Sequence, residues 1–221
     1  MIISSGTAKS KPEFGQGSSV ICLLCSFAFV SYQSISSESL ESTKNVTICL
    51  KTKDLNKVCD TDYYTGKVIK KNKQKDLAMI EVKGLPNSIK PVVFGSYKNI
   101  KIGQTAFAIG HPEGLLWTFT NGMISQKRPE HIWKYKASRH KAKTIQIQVP
   151  INPGNSGGPL FDKNQKLIGV NTFTSEGENL NFAIAVDDLI EFINEVEQKD
   201  IDSKYIKKKK KGNTWIQKKS D

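Results

Sequence analysis

Between residues 86 and 114 the chain is interrupted by Pro86, Pro91, Gly95, Gly103, Gly110 and Gly114, at intervals too short for a helix of ordinary length. Short strands joined by turns can form between such breaks, as in an all-β barrel or sandwich. The flanking sequence has the matching period. Val46, Ile48 and Leu50 alternate with Thr47, Cys49 and Lys51, as in a half-buried strand. Residues 66–70 and 77–82 continue the pattern on either side of a polar turn at 71–75. The period changes only at 187–198. There Leu189, Ile190, Ile193 and Val196 mark an amphipathic helix, with acidic residues near its N-terminus where the helix dipole favours them. Residues 126–143 are basic and polar without a clear period, and read as a long loop.

The string Gly-Asn-Ser-Gly-Gly-Pro-Leu at 154–160 carries chemistry. Glycines admit positive φ and let the backbone approach a ligand closely. A serine among them is presented as a hydroxyl nucleophile. The amides of Gly154 and Ser156 can then converge on one space, where a developing oxyanion would sit. A glycine loop between two strands would explain a lone Gly-x-Ser-x-Gly. The full string is far more specific.

With that string, the chain resembles the trypsin-like serine peptidases, specifically the HtrA/Deg branch, over about residues 60–195. Residues 144–160 resemble the strand and loop that carry the family's serine, and Leu-Ile-Gly-Val-Asn-Thr at 167–172 resembles the next strand, which lines the cleft. Residues 180–186 are similar to the lead into the closing helix, and 103–114 with 120–125 to the entry hairpin of the second barrel. Lys-Asp-Leu-Ala-Met-Ile-Glu-Val at 75–82 resembles the strand opening with the catalytic aspartate. The resemblance implies an all-β fold of two antiparallel β-barrels, the first abbreviated, closed by a C-terminal α-helix. Many HtrA relatives carry a PDZ-like unit after that helix, but none is expected here, where no room for one follows. It also implies serine endopeptidase activity on polypeptide substrates, with no cofactor and no metal, and it leaves oligomerisation open.

Carried onto this chain, the family pattern makes Ser156 the nucleophile, Asp76 the orienting carboxylate, and Gly154 with Ser156 the oxyanion hole. Pro150, six residues before the serine, and Ile151 are expected in the primary pocket with Asn171 and Thr172. A buried cation would find no carboxylate there, so small or aliphatic side chains are expected. Asn155 stands where an aspartate would capture a newly cut N-terminus, so activation by that zymogen route is not expected. The base is missing from its place. The family carries it in a Thr-Asn-x-His-Val-like segment ahead of the aspartate, yet residues 26–46 contain no histidine. His111, His131 and His140 all follow Asp76, and each reads as a surface or loop histidine without catalytic duty. Loss of a triad member leaves only about 10³–10⁴-fold acceleration over water. The readings left open are an impaired endopeptidase, a base supplied unconventionally, an altered reading frame near residues 20–45, and a catalytically inactive pseudoprotease that binds peptides or proteins.

The expected domain spans 44–200, after a polar leader and apolar segment at 1–43 and before a basic, disordered tail at 201–221. The apolar run 20–32 is too short to span a bilayer. It suits a signal-peptide core, implying a secreted or extracytoplasmic protein, or else a degraded first strand, since residues 15–21 resemble the Gly-rich start of the family's first strand. If the chain is secreted, Asn45 opens an N-glycosylation acceptor site. Net charge is +12, and the tail supplies +6 of it from eight lysines and two aspartates. Its run from Lys207 to Lys211 is either a solvated tail or a site for an anionic partner. Cys22 and Cys25 lie in the apolar run with no second ligand pair. Cys49 and Cys59 are either free thiols or a hairpin pair.

Overall fold

A computed structural model describes residues 2–3, 28–29, 45–50, 63–86, 91–112, 115, 117–135, 137–175 and 180–195. The readings of Cys22 and Cys25, of a Cys49–Cys59 pair, of most of the leader 1–43 and of the tail 201–221 with Lys207 and Lys211 lie outside these residues.

In the N-terminal half the strands are β1 (Ile2–Ile3), β2 (Ala28–Phe29), β3 (Asn45–Leu50), β4 (Tyr63–Asn72) and β5 (Leu77–Val82). They form a five-stranded antiparallel sheet in the order β1-β5-β4-β3-β2. The C-terminal half contains β6 (Thr105–Gly110), β7 (Thr118–Tyr135), β8 (Ser138–Ile147), β9 (Pro159–Asp162), β10 (Leu167–Thr174) and β11 (Asn181–Ala185). These close a barrel in the order β10-β11-β8-β7-β6-β9. Helix α1 follows directly, with its described part at 186–195. The all-β class with a C-terminal helix is therefore as expected, with one closed barrel and one open sheet among the described residues.

Two-residue alternation sorts the barrel strands between two cores. Ala106 and Ala108 of β6, Ile145 and Ile147 of β8, Ile168 of β10, and Ala183 and Ala185 of β11 fill the interior with Ile124, Val149 and Leu160. Leu167, Val170 and Ile184 point outward, with a register shift between Leu167 and Gly169 interrupting the alternation in β10, and meet Leu77 of β5 and Leu189 and Phe192 of α1. Phe192, absent from the helix pattern read in the sequence, is fully buried. This outer core joins the sheet, the barrel and the helix. Asp188 of α1, also buried, accepts from the amide of Lys143 at 2.8 Å and lies 3.7 Å from the Lys75 ammonium. Among the described residues no helix is long and apolar enough to cross a membrane.

The loop expected at 126–143 is instead most of a hairpin, the two-stranded ribbon of β7 and β8. Register shifts between Ile124 and Gln126 and between Arg128 and His131 break its alternation, and Pro129 sits in the second, where a missing amide costs least. Beyond the bulge the pattern is clear. His131, Trp133 and Tyr135 are half-buried and His140 and Ala142 buried, while Glu130, Ile132, Lys134, Arg139 and Lys141 face outward.

Candidate active site

The turn between β4 and β5 presents Asp76. Its backbone is left-handed, with φ 56°, a conformation aspartate tolerates better than most residues, and the side chain is 7% exposed. Strand β8 straps this turn in place. The amide of Lys141 donates to the Gln74 carbonyl at 2.9 Å, and His140 Nδ1 lies 2.8 Å from the Lys73 carbonyl. A carbonyl only accepts, so His140 carries its proton on Nδ1. The expectation of solvated surface histidines therefore fails for His140, which is 7% exposed and stacked against Trp133 at 5.1 Å. It fails in part for His131, which is half-buried with Nδ1 2.9 Å from Thr144 Oγ1, within an aromatic cluster with Trp133, Phe173 and Phe182. Burial, and then the Arg128 charge, hold the His131 pKa below its ordinary value. The sequence hides both placements because the aromatic partners come from distant strands.

The serine loop is fixed by its neighbours. Gly154 has φ 106°, and a Cβ there would run into the carbonyl oxygen of His111. The His111 amide donates to the Gly154 carbonyl at 3.1 Å. His111 Nδ1 accepts from the Trp117 amide at 2.7 Å, which makes the ring neutral with its proton on Nε2, and burial pushes its pKa down to about 3. Further along the loop, the Asn155 amide donates to the Asn152 carbonyl at 2.9 Å, and Gly157 to the Asn171 carbonyl at 2.7 Å. Gly154 and Ser156, the expected oxyanion-hole pair, thus lie on a loop held on one side by 110–112 and on the other by β10.

Strand β10 brings the two expected catalytic residues together. Ser156 is 5% exposed, and its hydroxyl donates to the carbonyl oxygen of Thr172 at 2.8 Å. The Thr172 hydroxyl donates to Asp76 Oδ2 at 2.7 Å. One residue therefore links nucleophile and carboxylate, and it is a residue the sequence placed in the substrate pocket. The contacts of His111 with Trp117, His131 with Thr144 and His140 with Lys73 involve neither Ser156 nor Asp76. Most of 26–46, where the family's base would stand, lies outside the described residues.

The other expected pocket residues divide. Ile151 packs in the barrel core, and Pro150 is exposed while its carbonyl accepts from Asn155 Nδ2 at 3.3 Å. Asn171 is fully buried and donates from Nδ2 to the Pro159 carbonyl at 3.3 Å. Among the described residues the Oδ1 atoms of Asn155 and Asn171 are buried acceptors without a partner. Unmet acceptors of this kind cost about 1–3 kcal/mol each.

Comparison with known proteins gives a consistent result. Residues 36–170 match the family described as trypsin-like peptidase domain. Protease Do-like 1, chloroplastic, from Arabidopsis thaliana is 37% identical over 134 residues, 59% of this chain and 30% of that protein. A serine protease HtrA-like protein of Staphylococcus epidermidis is 35% identical over 143 residues, 61% of this chain and 24% of that protein. The chain thus spans less than a third of the length of these two relatives. Among solved structures, Deg5 is similar with TM-score 0.53 and 27% identity, covering 80% of each chain. The HtrA-type protease AlgW with a decapeptide shares the fold at TM-score 0.61 and 22% identity, covering 81% of this chain and 50% of that one.

Proposed function

The chain belongs to the trypsin-like peptidase domain family, and from that premise we propose that it is a serine endopeptidase of HtrA/Deg kind with Ser156 as its nucleophile. The observation that carries this reading is the buried run of hydrogen bonds from Ser156 to Thr172 to Asp76. Ser156 Oγ would attack the scissile carbonyl as its proton passes to a base other than the family's upstream histidine, which residues 26–46 lack, so turnover would be impaired. The amides of Gly154 and Ser156 would stabilise the oxyanion. Asp76, held by the Thr172 hydroxyl, would orient and stabilise a protonated base. Without a carboxylate among Pro150, Ile151, Asn171 and Thr172, small or aliphatic side chains would enter the pocket more readily than cations. The test is covalent labelling by a fluorophosphonate probe. Labelling that disappears in Ser156→Ala supports the reading, and a folded protein that takes up no label refutes it.

A second reading rests on a specific contact: the Ser156 proton is donated to a main-chain carbonyl instead of an imidazole. That arrangement suits a pseudoprotease whose cleft binds polypeptides without cutting them. It predicts peptide binding that survives Ser156→Ala together with no labelling of the unmutated protein.

A further inference from the structure

The β7–β8 ribbon concentrates charge. Seven lysines and arginines between residues 126 and 143 stand against Glu130 alone, so this segment supplies +6 of the net +12. Several of these cations are engaged. Lys127 reaches the Lys98 and Ile100 carbonyls at 3.3 Å each, Arg128 Nη2 binds Gln146 at 2.7 Å, and Lys141 and Lys143 meet Glu130 and Asp188 at 3.2 Å each. Lys134 and Arg139 differ. They are exposed, have no partner among the described residues, and sit directly opposite each other across the ribbon. Like charges in that register oppose strand pairing. A ligand carrying negative charge would relieve the repulsion.

Two further features define the ligand's chemistry. Beside the Lys134–Arg139 pair, Ile132 is 46% exposed opposite Lys141, so the surface is mixed basic and apolar. Strand β6 pairs with β7 only from Thr118 to Met123, and the Ile124 carbonyl and amide bond to the Gly103 amide and the Gln104 carbonyl at 2.8 and 2.9 Å, so among the described residues the outer edge of β7 beyond Ile124 has no neighbouring strand. A free strand edge offers alternating N–H and C=O groups that an extended polypeptide can use and a phosphate polymer cannot. The opposite face of the ribbon touches β10, through Trp133 stacked on Phe173 at 4.8 Å, one residue from Thr172.

We propose that the outward face and free edge of the β7–β8 ribbon dock an acidic, extended segment of the polypeptide substrate, with Lys134 and Arg139 recognising its carboxylates. The word substrate rests on the endopeptidase reading; the docking chemistry does not. The test uses the full chain carrying Ser156→Ala and a fluorescent peptide alternating Glu and Val, against the same peptide with Gln for Glu, by anisotropy at low and physiological salt. The acidic peptide is expected to bind at least about 10-fold more tightly, with the margin narrowing as salt rises. The double reversal Lys134→Glu with Arg139→Glu should remove that margin. The neutralising pair Lys134→Gln with Arg139→Gln should remove part of it, with folding checked by circular dichroism. Equal binding of the two peptides overturns the proposal. So does a loss that follows reversal of Lys207 to Lys211 but not of the ribbon, since binding then resides in the tail. An RNA oligonucleotide or phosphatidylserine vesicles that bind more tightly than the peptide, with the same sensitivity to ribbon reversal, also overturn it by assigning a phosphate partner. Fluorophosphonate labelling of the unmutated chain is read separately. Docking without labelling removes the endopeptidase and leaves the docking surface, and labelling without docking does the reverse.

Discussion

Thr172 stands between the two side chains the family pattern singles out, with its carbonyl serving Ser156 and its hydroxyl serving Asp76. Thr172→Val keeps the shape and removes the hydroxyl, leaving a buried carboxylate one donor short. It should lower unfolding free energy by about 1–3 kcal/mol in urea titrations, whereas Thr172→Ser should cost less than about 1 kcal/mol. Equal losses would show that the hydroxyl is not what matters. His111 gives a pH dependence. Its folded pKa, about 3, lies below the ordinary 6.5, so above 6.5 neither state holds the proton. Below 6.5 the unfolded chain takes up a proton that the folded ring refuses. Stability therefore falls as pH drops from 6.5 toward 3, by up to about 1.4 kcal/mol per unit. His111→Asn keeps an acceptor near the Trp117 amide and cannot titrate, so it should flatten this slope in denaturation measured across that range. An unchanged slope would remove His111 as its source.

At the scale of elements, α1 and β8 matter most. Helix α1 seals the outer core with Leu189 and Phe192, and the Lys70 ammonium sits 4.4 Å over the Phe192 ring. Phe192→Ala should cost about 3–5 kcal/mol, the range for deleting a fully buried aromatic ring, as measured by chemical denaturation. Strand β8 holds the turn that carries Asp76, through His140 and the amide of Lys141. His140→Ala should speed hydrogen exchange at the Lys141 amide and leave the amides pairing β8 with β11 protected. Uniform acceleration along β8 would mean the histidine supports the whole strand. Legibility in the sequence varied by element. Strands β3, β4 and β5 and helix α1 were readable because each alternates or repeats within itself. The β7–β8 ribbon was not, because two register shifts and Pro129 interrupt its period.

Across the molecule, the N-terminal sheet and the barrel share more than a linker. Leu77 of β5 belongs to the outer core, Asp76 is bonded to β10, and Lys75 pairs with Glu191 of α1 at 2.6 Å. These contacts predict one cooperative unfolding transition. Urea curves followed by tryptophan fluorescence and by far-ultraviolet circular dichroism should superimpose, and two separated midpoints would show independent units. Charge also belongs to this scale: the tail and the ribbon each supply +6 of the net +12, which marks two separate basic regions along the chain.

The sequence by itself determined the all-β class, the closing helix, the serine loop and the family. Each is written in local patterns: a two-residue period, a helical period, a run of turn residues, a short ordered string. Only the tertiary structure decided that Ser156 and Asp76 meet through Thr172, that His140 is buried under Trp133, and that 126–143 is a ribbon with a basic outer face. Those depend on barrel closure. A hydrogen bond between residues 96 positions apart, or an aromatic stack between β7 and β10, exists only when the intervening strands are in register, and no local pattern encodes that register.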